Sequence, residues 1–197
     1  MGKWFPAIYD TLMAPLERQK FKEIRRDLLG KATGHVLEIG SGTGVNFPYY
    51  LQPCHVTAIE PNPEMINNSL DNINNSLVPI DIHLGKAEEL PYKDNSFDTV
   101  VATLVFCTIP DPQKALDDIH RVLKPGGSLV LFEHVSMDHP VLSKLQDALT
   151  PLWKRLCDGC HLNRDTLTLV ENTGFYIKKV DSMSKGLFLT IECYNHE

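Results

Sequence analysis

Residues 36–47, VLEIGSGTGVNF, run from an apolar strand straight into three glycines at alternate positions. A strand that ends this way, followed by a helix, brings bare backbone N–H groups and a helix N-terminus to the carboxyl edge of a sheet. Gly40, Gly42 and Gly44 lack the Cβ atoms that would keep a ligand off that backbone. A tight strand-to-helix turn explains an isolated G-x-G match equally well, so other residues must decide between ligand and turn.

The rest of the chain repeats the same alternation. Runs rich in Val, Ile and Leu near 35–39, 55–60, 79–84, 97–103 and 127–133 predict parallel strands, with helical patterns near 63–75 and 112–123 as crossovers. In 63–75, Met65, Ile66, Leu70 and Ile73 fall on one helical face, and after the second helix KPGG reads as a stop and a turn. FYIKKVD and GLFLTIECY are close enough together to suit an antiparallel hairpin. Two segments stand outside the alternation: residues 1–30, which look helical, and 137–165. Additions of this kind on an α/β scaffold often shape the substrate pocket.

Spacing narrows the ligand. The dinucleotide pattern G-x-G-x-x-G needs its third glycine at 45, where this chain has Val45, and no G-x-x-x-x-G-K-[ST] occurs anywhere. Glu60 closes the second strand, VTAIE, where a carboxylate can accept hydrogen bonds from both hydroxyls of an adenosine ribose. That need is shared by NAD and S-adenosylmethionine (SAM), so Glu60 alone does not discriminate.

Composition removes other classes. A net charge of -6 over 197 residues gives no general attraction to a phosphate backbone, so nucleic acid is not expected as a partner. Five cysteines, an odd number with no secretory pattern ahead of them, suggest free thiols in a reducing, cytoplasmic setting. The longest apolar stretch, TVVATLVFCTI, falls short of the roughly 18 residues a membrane-spanning helix needs.

VLEIGSGTGVN with AIEPN after it, GKAEELPYKDNSFDTVVATLVFCTI and RVLKPGGSLVLFEH resemble, in order and spacing, the motifs of class I SAM-dependent methyltransferases of the domain-11 type. The resemblance spans about residues 35–135 and continues at the level of fold to the end. Further on, PLWKRLCDGCHLNRDT and ENTGF resemble the small methyltransferase-like proteins whose membrane-associated animal members methylate thiols. UbiE-like quinone methyltransferases share the first four motifs and fit this tail less well.

The resemblance implies an α/β, Rossmann-like three-layer sandwich whose seven-stranded, mostly parallel sheet has its last strand antiparallel. It implies a single domain over 1–197, with 1–30 as a helical lid and 137–165 as a substrate-side helical insertion. The cofactor it implies is SAM, giving S-adenosylhomocysteine, with no metal. The acceptor is a small, hydrophobic molecule, a thiol first and a quinone or phenol methylated on carbon or oxygen second. Two other classes stay open: a SAM-binding sensor without catalysis and an NAD-dependent oxidoreductase.

Carried over residue by residue, Glu38, Gly40, Gly42 and Gly44 match the loop around the methionine portion of SAM, and Glu60 matches the ribose carboxylate, followed by Pro61 and Asn62 beside the adenine. Ala87 and Glu88 match the adenine-edge segment, where Lys86 replaces the acidic residue common in the family and leaves the Ala87 backbone as the reader. Thr103 and Leu104 match the segment after the fourth strand that faces the methyl group, and Cys107 follows them into the substrate pocket.

His134, at the carboxyl end of the fifth strand, is the candidate catalytic residue, either as a general base or to orient the acceptor. Tyr9, Met13, Cys107, His134 and Trp153 form the expected substrate pocket, with Trp4, Phe5, Ile8, Tyr9, Leu12 and Met13 as the apolar face of the lid. Arg18, Lys20, Lys22, Arg25 and Arg26 form a basic set, read as a solvated face or as a peripheral contact with an anionic membrane. Asp98 begins its strand at the opposite end from the pocket and is given no chemistry. CDGCH at 157–161 matches covalent haem attachment, but that use needs export and a helical haem fold; ordinary loop thiols are the expectation for Cys157 and Cys160.

Overall fold

The computed structural model describes residues 20–51, 53–137, 139–157 and 159–196. Seven strands form one sheet: β1 (Gly34–Ile39), β2 (Cys54–Glu60), β3 (Ile80–Leu84), β4 (Phe97–Thr103), β5 (Leu123–His134), β6 (Tyr176–Met183) and β7 (Phe188–Tyr194). Their order is β3-β2-β1-β4-β5-β7-β6, and β7 runs antiparallel to both of its neighbours. The described helices are α1 (Lys22–Leu29), α2 (Pro63–Asn68), α3 (Leu70–Asn74), α4 (Pro112–Val122), α5 (Pro140–Leu156) and α6 (Thr166–Asn172). The order reverses between β1 and β4, and the crevice outside the carboxyl ends of those strands is where open α/β sheets hold ligands.

Side chains alternate across each strand, so two faces bury two separate cores. Leu37, Ile39, Val100, Ala102, Leu129 and Leu131 pack against Ala115, Leu116, Ile119 and Val122 of α4. Their neighbours Val36, Val101, Val130 and Phe132 face the other way, against Phe21 and against Leu28 and Leu29 of α1. The amphipathic spacing of α4 follows from this contact, and Asp111 starts the helix by accepting from Lys114 N at 3.1 Å.

Three local expectations are corrected. The 63–75 helix breaks at Ser69, whose hydroxyl donates back to Ile66 O at 2.7 Å, and Leu70 of its supposed buried face is exposed. KPGG does not separate α4 from β5. Leu123 already pairs with Phe97 and Ser128 with Thr99, so Lys124–Gly127 is a bulge within β5, with Gly126 at φ +72° and Lys124 Nζ 2.6 Å from Asp98 Oδ1. Finally, no α-helix follows the glycines; one 3-10 turn, Phe47–Tyr49, ends where Tyr50 turns extended at ψ 137°.

The insertion helix α5 is amphipathic in the reverse sense. Gln146 and Thr150 face the protein, while Val141, Leu145, Leu149, Leu152 and Leu156 are exposed. Gln146 explains the inversion, because its side chain joins three backbone groups: Oε1 accepts from Met137 N at 2.8 Å, and Nε2 donates to Leu162 O at 2.8 Å and Val135 O at 3.2 Å. No helix among the described residues is long and apolar enough to cross a membrane.

Candidate active site

The glycines at the end of β1 differ in what they are for. All three have positive φ, at +62° for Gly40, +56° for Gly42 and +73° for Gly44. A Cβ on Gly40 would stand 2.3 Å from Val105 Cγ2 and one on Gly44 2.5 Å from the Phe47 ring, so these two positions are filled from within the protein. A Cβ on Gly42 would meet nothing among the described residues within 4 Å. Only Gly42 opens outward, and Ser41 beside it has a buried hydroxyl with no hydrogen-bond partner among the described residues.

Glu60 ties this loop to the end of β2. One carboxylate oxygen accepts from Gly42 N at 3.0 Å and the other from Asn62 N at 2.9 Å. Asn62 caps α2 by accepting from Glu64 N at 2.9 Å, Pro61 between Glu60 and Asn62 is exposed, Ala87 is buried in the turn three residues beyond β3 and Glu88 is partly buried.

Under the loop lies a buried polar network. Glu38 is 1 % exposed; Tyr50 donates to it from its hydroxyl at 2.7 Å and Asn46 from Nδ2 at 2.9 Å. Burial pushes the Glu38 carboxyl up to about 7, against the pull of those hydrogen bonds and of Arg25. Arg25 donates to Asn46 Oδ1 and, at 3.0 Å, to Thr103 Oγ1. Strand parity explains the meeting: Glu38 and Thr103 share the face of Val36 and Val101, which is the face α1 covers. Arg25 is therefore corrected: it is buried at 3 % exposure and no part of a solvated basic face. Its spacing from Phe21, Leu28 and Leu29 is the sequence signal that was available.

Beyond β4 the chain is clamped. Leu104 takes a left-handed φ of +55°, its N–H donating to Phe132 O at 2.7 Å, and Val105 N and Phe106 N each donate to one oxygen of Glu133 at 3.1 Å. A non-glycine residue there carries strain of about 1–3 kcal/mol, which surrounding bonds must hold. Glu133 is fully buried, and burial raises its carboxyl to about 8. The clamp presses Val105 onto Gly40 and so joins the β4 loop to the glycine loop.

A methyltransferase-domain family model matches residues 37–131. The chain is 35 % identical over 194 residues to the rat thiol S-methyltransferase TMT1B, covering 89 % of this chain and 79 % of that protein. The chain belongs to the SAM-dependent methyltransferases. It is also 33 % identical over 147 residues to the ubiquinone/menaquinone biosynthesis C-methyltransferase UbiE of Vibrio cholerae, over 71 % of this chain and 56 % of that one. A putative methyltransferase from Bacillus halodurans superposes with a TM-score of 0.74 at 14 % identity, covering 90 % of this chain and 99 % of the other, a likeness of fold.

In this methyltransferase the expected acceptor-side residues divide. Tyr9 and Met13 lie outside the described residues. Cys107 is buried just past the β4 clamp, whereas Trp153 of α5 is exposed. Cys160 lies in the segment that His161 ties to this loop, its N–H donating to Cys107 O at 2.7 Å. His134 packs its ring edge-on to Phe188 with centroids 5.6 Å apart, and burial lowers it to about 4, so the methyltransferase holds it neutral at pH 7. Its Nδ1 is buried with no hydrogen-bond partner among the described residues. Arg25, Asn46, Tyr50 and Glu133 are the site-supporting residues that motif reading missed, with Arg164, whose Nη1 donates to Ile109 O at 3.0 Å just past the β4 loop.

Proposed function

We propose that this methyltransferase binds SAM across the carboxyl ends of β1, β2 and β4 and methylates the thiol of a small hydrophobic acceptor. The residues present fit the cofactor: Gly42 leaves its backbone approachable, Ser41 holds an unmatched buried hydroxyl next to it, and Glu60 stands on the neighbouring strand end. Bound there, SAM supplies a methyl group on a sulfonium that needs little activation beyond an in-line nucleophile about 3–3.5 Å away. Glu60 takes the ribose, the Ala87 backbone reads the adenine edge, and Leu104 with the Glu133 clamp fixes the wall against which the acceptor lies. No metal enters this scheme.

The observation that carries the thiol is His134. Held near 4 and packed on Phe188, its ring is a weak proton acceptor at neutral pH, while Glu38 and Glu133 are committed to donors of the chain. A hydroxyl acceptor needs a positioned base, whereas a thiol with a pKa of about 8.5 brings its own thiolate fraction. The likeness to thiol S-methyltransferases points the same way. His134 then orients the acceptor through Nδ1 rather than removing its proton.

Calorimetric titration with S-adenosylhomocysteine tests the cofactor half: binding is expected in the wild type and lost in Glu60→Ala, with NAD as a silent control. Turnover across a panel of thiols, phenols and quinols tests the acceptor half. Phenol or quinol methylation outpacing every thiol refutes the thiol assignment, and intact cofactor binding with no turnover on any member refutes catalysis in favour of a sensor.

A further inference from the structure

The inward side of the insertion helix α5 is polar: Gln146 and Thr150 are buried, and Thr150 Oγ1 donates to Gln146 O at 2.7 Å. The outward side carries Val141, Leu145, Leu149, Leu152 and Leu156 at steps of three and four residues, with the exposed Trp153 ring at one edge. Leu152 is 59 % exposed and Leu156 65 %. Single exposed leucines are ordinary, but a continuous apolar stripe marks a contact surface.

The charges on the helix indicate what the stripe meets. By helical position Lys144 and Arg155 border the stripe on the side opposite Trp153, and both are exposed. Asp147, the helix's one acid, falls on the far side and is taken up by Asn163, whose Nδ2 donates to it at 2.7 Å. Cations therefore line the stripe in a chain whose net charge is -6. A bilayer with anionic headgroups complements both features, acyl chains meeting the leucines and headgroups the cations, and an indole ring suits the boundary between them. Lys144, Asp147, Lys154 and Arg155 keep such a helix lying on the bilayer and not across it. A second copy of the chain suits the stripe less: at about 25 Å long and about 10 Å wide it is smaller than the roughly 800 Å² a side that a stable dimer buries.

We propose that α5 docks this methyltransferase on the surface of an anionic lipid bilayer, with its leucine stripe in the headgroup boundary and Lys144 and Arg155 on acidic headgroups. The docking follows from the helix alone. Its use to the enzyme rests on the hydrophobic acceptor proposed above. The segment after α5 is tied to the β4 loop, His161 N donating to Cys107 O at 2.7 Å and Arg164 Nη1 to Ile109 O at 3.0 Å. A docked α5 therefore brings the acceptor side of the site to the lipid, where an apolar acceptor concentrates.

The other basic helix, α1, is the poorer surface for this contact. Its apolar side, Leu28 and Leu29 with Phe21 before them, is spent on the core, and Arg25 is buried with it. What α1 leaves outside is charge without an apolar stripe, and interfacial helices need both.

The test floats the full chain with vesicles of phosphatidylcholine, alone or mixed with phosphatidylserine. Binding to the mixed vesicles is expected, weaker at high salt and much weaker on phosphatidylcholine alone. Leu145→Ser with Leu149→Ser should bind about tenfold or more weakly, and Lys144→Glu with Arg155→Glu should lose the preference for phosphatidylserine. In a Trp4→Phe background Trp153 is the remaining tryptophan, and its emission should shift to the blue on the mixed vesicles and be quenched by brominated lipid. No flotation with the mixed vesicles, full binding by the leucine variant, or an unmoved Trp153 emission overturns the assignment. A dimer that the leucine variant splits, in a chain that does not float, gives the stripe to a second copy and overturns it as well. The Trp153 readout, taken on an unaltered stripe, decides even if a variant does not fold. None of these readouts involves cofactor or acceptor, so a failed docking and a failed thiol assignment are told apart.

Discussion

Replacing Gly42 by alanine adds a methyl group where nothing among the described residues lies within 4 Å, whereas replacing Gly40 adds one 2.3 Å from Val105 Cγ2. Both positions have positive φ, at +56° and +62°, so each variant carries the left-handed penalty of about 1–2 kcal/mol. Gly40→Ala adds an overpacking term of about 1–3 kcal/mol, because Val105 is held by the Glu133 clamp and cannot swing aside freely. The expected losses of stability are therefore about 1–2 kcal/mol for Gly42→Ala and about 2–5 kcal/mol for Gly40→Ala. Ligand binding should rank the other way when expressed per unit of lost stability: Gly42→Ala is the more stable of the two variants but blocks the approach to the loop. Urea unfolding gives the first quantity and calorimetry with S-adenosylhomocysteine the second. If Gly42→Ala binds like the wild type, the opening beside Gly42 is not the cofactor's. If the two variants are equally stable, the Val105 contact does not hold the loop.

Other outcomes follow from the buried groups. Glu38 has a folded pKa of about 7, raised above its ordinary 4.5, so the stability it allows is complete below pH 4.5 and is lost as pH rises through 7, by about 3 kcal/mol in all. Urea unfolding of Glu38→Gln at pH 5 and pH 8 should show a smaller pH-dependent loss than the wild type; an equal loss refutes the assignment. Arg25→Met should cost about 3 kcal/mol or more, because it takes a buried cation away from Glu38, Asn46 and Thr103. Thermal unfolding that shifts no more for Arg25→Met than for Arg26→Met would contradict its buried placement. On α5, Leu145→Ser with Leu149→Ser should change stability by no more than about 0.5 kcal/mol. Gln146→Leu should cost about 2–4 kcal/mol by stranding Met137 N, Val135 O and Leu162 O. Denaturant midpoints that reverse this order would reverse the orientation of the helix.

Much of this fold could be read in the chain because its central strands are buried on both faces and so appear as continuous apolar runs. The run at 97–103 coincides with β4, and the strand bounds elsewhere shift by a residue or a few. The glycine loop and Glu60 were legible for a similar reason: their spacing is local. The rest depends on contacts between distant segments. Arg25 sits among charges that read as a solvated run, and only its register with Phe21, Leu28 and Leu29 marks it as inward. Gln146 turns inward against every expectation from polarity, because three backbone groups in two other segments require it. Cys157 and Cys160 advertise themselves as a local pair, yet the segment is tied through His161 N to Cys107 O, and no local pattern encodes that contact.

The carboxyl end of the sheet works as a site because strand parity lets adjacent residues serve opposite faces there. By that parity Glu133 falls on the side of Leu129 and Leu131, packed by α4, while His134 falls on the side of Val130 and Phe132, under α1. Glu133 fixes the β4 loop from one side, and through Val105 that loop meets Gly40. Arg25 and Asn46 reach Thr103, at the end of β4, from the other side. The strand end between the two loops is thus held from above and below by buried groups of the chain itself. Pinned on both faces, the crevice presents its ligands with a backbone wall fixed before they arrive, which is what in-line transfer between two bound molecules requires.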